Sequence, residues 1–158
     1  MRKILALALV FSLLFAGCSK DDNECKYDIC GIVAPDAEIA AVQTHITSNG
    51  IIAERHCSGV FYTIENPGTG KNPTPCSNIY IKYKGYLTNG TVFDQAVNPV
   101  AFGLGSLING WRSVLPSLKA GGRIVLYIPP TLGYGNRASS AIPANSIIIF
   151  EIDLLDVE

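Results

Sequence analysis

The side chains that could carry covalent chemistry are few and scattered. Both histidines, His45 and His56, precede the strand-rich part of the chain, so no Ser-His-Asp or Cys-His arrangement can be assembled there. Gly103-Leu104-Gly105 has no third glycine at dinucleotide spacing and reads as a turn rather than a phosphate loop. What the sequence does offer is a set of aromatic rings with one carboxylate among them. Tyr83, Phe93, Phe102, Trp111, Tyr134 and Phe150 fall on or beside strand ends or at a helix start, and Asp94 follows Phe93 directly. Taken singly, each ring belongs in a core, and Asp94 reads as a turn residue or helix cap. Brought together, they would make an apolar bowl edged by a phenol and a carboxylate, suited to desolvating a ligand rather than attacking it. In "IVLYIPPTLGYG" (124–135), Pro129-Pro130 breaks a strand and Tyr134 stands between two glycines. That is either a plain loop or a device for holding one hydroxyl over a pocket.

The elements that must position these groups are legible as alternation. "GVFYTI" (59–64) reads as a strand closed by a Gly- and Pro-rich segment. In "NIYIKYKGYL" (78–87), Ile79, Ile81 and Tyr83 share one face and Tyr80, Lys82 and Lys84 the other. Asn89-Gly90 is a hairpin signal, after which "TVFD" resumes the sheet. "RIVLYI" (123–128) and "SIIIFEIDLLDV" (146–157) supply the remaining strands, and alternation against Glu151 and Asp153 points Phe150 at the core. Trp111, Val114, Leu115 and Leu118 follow helical spacing up to Gly121-Gly122, with Pro116 forcing a late start or a bend. Upstream, "PDAEIAAVQTHITSN" (35–49) places Ile39, Val42 and Ile46 on one helical face, ahead of Gly50. Strands dominate around one short central helix, which is an antiparallel α+β domain.

The first residues concern the compartment. Arg2 and Lys3 precede an apolar run from Ile4 to Phe15 that ends in Ala16-Gly17-Cys18, a secretory signal too short for a membrane-spanning helix, which needs ~20 residues. The cysteine after Ala-Gly resembles a bacterial lipobox, with Phe15 where leucine is more usual, and the expectation is lipidation at Cys18. Residues 1–17 are then a signal peptide, 18–34 an acidic tether, 35–57 a helix with its linker and 58–158 the main domain. The "SKDDNE" stretch (19–24) also resembles the acidic signal of surface-exported lipoproteins. Removal of the signal leaves ten basic against thirteen acidic residues, with no basic run to follow a nucleic-acid backbone. Four cysteines remain, Cys25, Cys30, Cys57 and Cys76. An even count in an exported chain favours disulfides over a metal site, and three pairings are possible. Joining near neighbours gives Cys25–Cys30 and Cys57–Cys76.

The segments "IKYKGYLTNGTVFD", "PVAFGLGSLINGW", "LKAGGRIVLYIPPTLGYG" and "IIIFEIDLLDV" together resemble the FKBP-type peptidyl-prolyl cis-trans isomerases, in order, over about residues 59–157. The resemblance implies a twisted antiparallel β-sheet wrapped around one short α-helix, here with an N-terminal helical extension. It implies Trp111 as the pocket floor, Tyr83, Phe93 and Phe150 as aromatic walls with Phe102 beside them, and Asp94 as the pocket carboxylate. Leu107 and Ile108 match a Val-Ile pair whose second N–H bonds a ligand carbonyl. Tyr134 matches a hydroxyl donor, and Ile142 an apolar residue of the last long loop. Val100 is a substrate-binding position at which the chain departs from the pattern, since many members carry a second phenylalanine there and valine widens the pocket; "DQAVNP" (94–99) lacks an arginine that pairs with the aspartate in some members. The loop 136–146 lacks a histidine found in others.

The expected activity is isomerisation of Xaa-Pro bonds in unfolded or exported proteins, without cofactor or metal. Macrolide-type compounds are candidate inhibitors, and the expected location is the cell envelope, on a lipid anchor in a bacterial membrane. A non-catalytic chaperone or peptide-binding module of the same fold is the alternative. The helix at about 36–49 is a candidate homodimerisation arm.

Overall fold

The computed structural model describes residues 25–139 and 141–158. The expected signal segment, Cys18 and the acidic stretch 19–24 lie outside the described residues. The chain runs α1 (Asp36–Ser48), β1 (Glu54–Arg55), β2 (Phe61–Asn66), β3 (Asn78–Leu87), β4 (Val92–Gly103), α2 (Asn109–Val114), β5 (Gly122–Ile128) and β6 (Ile148–Val157). The strands form one antiparallel sheet in the order β1-β2-β5-β6-β3-β4. This is the FKBP-like α+β fold with an added N-terminal helix.

Burial follows from which faces are covered. Ile79 and Ile81 of β3, Ile124, Leu126 and Ile128 of β5, and Ile152 and Leu154 of β6 are fully buried on the side of α2. The intervening Val125 and Tyr127 of β5 are buried as well, because the opposite face of this central strand is covered too, as in strands whose sequences read as continuous apolar runs. The cover near Tyr127 is α1, whose His45 ring lies 6.4 Å from the Tyr127 ring. Helix α1 buries Ile39, Val42 and Ile46 against its own domain, so its apolar stripe is already occupied. Ile39 can dock because Gly59 lacks a side chain. A Cβ there would stand 2.7 Å from Ile39, and the φ of +93° suits glycine alone.

Helix α2 is shorter than its pattern suggests. It ends at Val114 and continues as a 3-10 turn over Leu115–Ser117, since Pro116 has no N–H to extend an α-helical ladder but fits the start of a turn. Gly110 lets the helix lie close on β5, where an added Cβ would meet Ile128 at 2.7 Å. Strand β4 is much longer than "TVFD". It runs on through Gly103, and an irregularity between Ile81 and Tyr83 leaves Val97 to Pro99 outside the ladder.

The cysteine pairing expected from proximity in sequence is wrong. The bridges are Cys25–Cys76 and Cys30–Cys57, with sequence separations of 51 and 27. Short-loop preference is a weak guide because closure entropy grows only with the logarithm of loop length, and contacts of the N-terminal segment decide the matter instead. Tyr27 lies on the Arg112 guanidinium at 4.1 Å, and the Ala34 N–H donates to the Ser58 carbonyl at 2.9 Å. Residues 25–34 are thereby a strap stapled across the domain rather than part of a free tether. The two bridges set the domain in an oxidising, extracytoplasmic compartment. Peptide mapping without reduction should recover Cys25 linked to Cys76 and Cys30 linked to Cys57. Reduction should lower unfolding free energy by about 2–4 kcal/mol per bridge, read by denaturant titration.

Candidate active site

One backbone irregularity brings the candidate residues together. Along β3 and β4, Gly85 pairs with Asp94 but Tyr86 pairs with Val92, so Phe93 is an extra residue without a partner. Consecutive side chains on a regular strand point to opposite faces. The bulge suspends that rule and turns both Phe93 and Asp94 toward one cluster. Gly85 supplies the space. It faces Phe150 of β6 across the ladder, and a Cβ on it would lie 2.6 Å from Phe150 and 2.7 Å from Phe93.

The rings then meet edge to face. Phe150 stands 4.9 Å from Trp111 and 5.5 Å from Phe93, each at 90°. Tyr83 lies 5.6 Å from Trp111 at 80° and 6.3 Å from Phe102, and Tyr134 meets Phe93 at 6.3 Å and 88°. Such offset contacts satisfy the ring quadrupoles and each contribute ~0.5–1.5 kcal/mol beyond burial. They enclose a bowl of about 180 Å³ lined by Tyr83, Asp94, Phe102, Leu107, Ile108, Trp111, Tyr134 and Phe150. That is below the ~300–1,000 Å³ of sites for drug-sized ligands and suits a single small ring. A second hollow of about 360 Å³ adjoins it, sharing Asp94 and Tyr134 and lined further by Phe93, Arg137 and Ile142.

The polar groups divide into those already satisfied and those left open. The Tyr83 hydroxyl donates to Asp94 Oδ2 at 2.7 Å, so a phenol on β3 holds the carboxylate that the sequence leaves without an arginine. Burial, the bond to Asp94 and its negative charge push the Tyr83 pKa up to about 12. Burial and then the Asp94 charge also raise that of Tyr134. The Tyr134 side chain is 42% exposed, and its hydroxyl has no hydrogen-bond partner among the described residues. The buried Trp111 Nε1 likewise has none. The Ile108 N–H finds no acceptor there either, while its carbonyl caps α2 by accepting from the Trp111 and Arg112 N–H groups. The one compact group of soft ligands among the described residues, Cys30, His56 and Cys57, lies outside the bowl lining and includes the Cys30–Cys57 bridge.

Of the residues singled out from sequence, eight line the bowl and Phe93 and Ile142 line the adjoining hollow. Val100 does not line either. On β4 it pairs with Ile81 of β3 and is half-buried against the core. Gly85 and Arg137 were not singled out. Gly85 had a signal, a lone glycine interrupting an alternating strand, which marks close approach of a neighbour; Arg137, on an irregular loop, had none.

The chain matches the model of the FKBP-type peptidyl-prolyl cis-trans isomerases over residues 70–155. The chain belongs to that family. It is 45% identical over 105 residues to the FKBP-type peptidyl-prolyl cis-trans isomerase FkpA of Buchnera aphidicola subsp. Schizaphis graminum, covering 64% of this chain and 42% of the relative. Two solved structures share the fold. One is a peptidyl-prolyl cis-trans isomerase from Pseudomonas syringae pv. tomato, with TM-score 0.69 and 32% identity over 81% of this chain and 99% of that one. The other is FkpA from Escherichia coli, with TM-score 0.70 and 31% identity over 78% of this chain and 60% of that one. The chain spans about two-fifths of the length of the curated relatives it matches.

The raised Tyr83 value has a defined pH signature. A phenol held protonated in the folded state contributes stability that is complete below its unfolded pKa of about 10. That contribution is lost as pH climbs from there through about 12. Ring-carbon NMR titration should find Tyr83 still protonated at pH 11, and Asp94→Asn should move its transition toward lower pH. A Tyr83 transition at the ordinary phenol value would contradict the buried, hydrogen-bonded geometry.

Proposed function

We propose that this protein is a peptidyl-prolyl cis-trans isomerase acting on Xaa-Pro bonds of unfolded or exported proteins, with the bowl floored by Trp111 as its active site. The observation that carries the proposal is the pairing of an aromatic bowl with free hydrogen-bond donors, in a chain of this family. Rotation about a prolyl bond faces a barrier of ~18–20 kcal/mol because resonance keeps the amide planar. The planar amide is more charge-separated than the twisted one. Transfer from water into a ring-lined pocket therefore raises the ground state relative to the transition state. The proline ring would sit on Trp111 between Tyr83, Phe102 and Phe150. The Ile108 N–H and the Tyr134 O–H would hold carbonyl oxygens of the substrate, and Leu107 and Ile142 would contact its flanking residues. Asp94, fixed by the Tyr83 hydroxyl, would sit at the edge of the bowl beside the bound amide. No acid, base or nucleophile enters the scheme, in keeping with two histidines placed elsewhere. The altered neighbourhood of Asp94 gives the non-catalytic alternative little support, because the Tyr83 hydroxyl holds that carboxylate in place of an arginine.

We further propose that the protein is lipidated at Cys18 and held on a bacterial envelope membrane, supported by the lipobox-like "FAGC" (15–18) and by the disulfides of the domain that follows. Radiolabelled palmitate should enter the wild-type protein expressed in a bacterium and not Cys18→Ser.

A protease-coupled assay on Xaa-Pro peptides tests the activity. Trp111→Ala should abolish nearly all of it. Tyr134→Phe, which removes one hydrogen bond worth about 0.5–1.5 kcal/mol, should reduce kcat/KM about 2- to 13-fold. The fluorescence of Trp111, the only tryptophan, should change saturably with a proline-mimicking macrolide. Activity unaffected by both substitutions would place the site elsewhere.

A further inference from the structure

The turn carrying Tyr134 opens on two prolines at the end of β5 and holds one N–H with no acceptor inside it. Residues Pro130–Leu132 form a 3-10 turn preceded by Pro129. Neither proline has an N–H, the Leu132 N–H donates to the Pro129 carbonyl at 3.0 Å, and the Gly133 and Gly135 N–H groups both donate to the Pro130 carbonyl at 2.9 and 2.8 Å. The Thr131 N–H is left with no acceptor within the turn, the ordinary condition of a helix start. Its acceptor comes from 93 residues upstream. Glu38 of α1 takes the Thr131 N–H on Oε2 at 2.8 Å and the Thr131 hydroxyl on Oε1 at 2.6 Å. Both carboxylate oxygens grip one residue, the fork geometry that fixes orientation as well as distance.

Glu38 is itself held rigidly. The next residue, Ile39, is buried and locked against Gly59. The strap leading into α1 is tied down by Cys30–Cys57 and by the Ala34–Ser58 hydrogen bond. On the other side, Thr131 is three residues from Tyr134, and the shared Pro130 carbonyl closes the turn around that interval. The Tyr134 hydroxyl has no hydrogen bond among the described residues, so the placement of the side chain depends on its contact with Phe93 and on the backbone that carries it.

We propose that Glu38 is a positioning residue for the isomerase site. Through Thr131 it fixes the turn from which Tyr134 reaches over the bowl, so that the N-terminal helix, outside the residues 70–155 that match the family, is a working part of the active site. This inference rests on the isomerase function proposed above and deepens it.

A double-mutant cycle tests it. Glu38→Ala should lower kcat/KM about 3- to 10-fold in the native background and less than about 2-fold in Tyr134→Phe, since the two changes would remove the same interaction. Glu38→Gln keeps an acceptor for the Thr131 N–H and should restore most of the loss. Equal losses from Glu38→Ala in both backgrounds would reduce Glu38 to a stability residue and overturn the proposal. A second readout does not depend on activity. Amide hydrogen exchange at Thr131, Gly133 and Gly135 should quicken at least about tenfold in Glu38→Ala, while exchange at Ile152 in the core stays unchanged. Unchanged exchange at the turn would sink the latch even if the enzyme is active. Conversely, altered exchange in a protein without isomerase activity would preserve the latch and refute the function.

Discussion

The site depends on the meeting of Phe150 with three other rings, and that meeting depends on an absence. Phe150 packs edge to face on Trp111 and Phe93 and tilts against Tyr83 at 6.1 Å. The rings come from β6, α2, β4 and β3, so the contact joins a helix to three strands. It is possible because the residue opposite Phe150 on β3 is Gly85. Any side chain there would wedge Phe93 away from Phe150, and overpacking of that kind costs about 1–3 kcal/mol. It would also open the wall of the bowl. A second glycine, Gly110, does the same between α2 and β5. Stability and binding thus rest on the same close approaches: what packs the end of the core also shapes the bowl.

The N-terminal strap extends this logic to the outside of the sheet. A sheet covered on one face would leave Tyr127 in water, and α1 on the second face helps bury it. Such a helix, with three buried apolar residues in thirteen, is marginal alone. The bridges Cys25–Cys76 and Cys30–Cys57 reduce the entropy of the unfolded strap, and Tyr27 on Arg112 ties it to the residue after the pocket floor. The N-terminal segment therefore reaches two neighbours of bowl residues: Tyr27 of the strap meets Arg112, next to Trp111, and Glu38 of α1 meets Thr131, three residues before Tyr134.

How much of this could be read from the sequence follows from the range of each interaction. Alternation in "NIYIKYKGYL" and helical spacing in "PDAEIAAVQTHITSN" are local properties, and β3 and α1 came out nearly where those patterns put them. The rings of the bowl were legible through the resemblance, because the spacing of whole segments carried them. The cysteine pairing was not. It depends on where a strap folds back across the domain, a long-range fact with no periodicity. The extent of β4 was missed for a related reason: bulges at Phe93 and near Val97 interrupt the period of two on which strand recognition relies. The bond from Glu38 to Thr131 joins residues far apart in sequence, each ordinary in its local context.

The distribution of unmet hydrogen bonds says what kind of catalyst this arrangement can be. Buried polar groups in folded proteins are almost always paired, and an unpaired one is retained only where something compensates. In this bowl the acceptor with a formal charge, Asp94, is paired with Tyr83. Three donors of the bowl, the Ile108 N–H, the Tyr134 O–H and the Trp111 Nε1–H, have no partner among the described residues. Free donors around an apolar floor are matched to a ligand that brings carbonyl oxygens and a hydrocarbon ring, which is the composition of a prolyl peptide. The rate gain would then come from holding those oxygens while the ring and its nitrogen leave water, and the hydroxyl of Tyr134 would serve by where it is held rather than by its acidity.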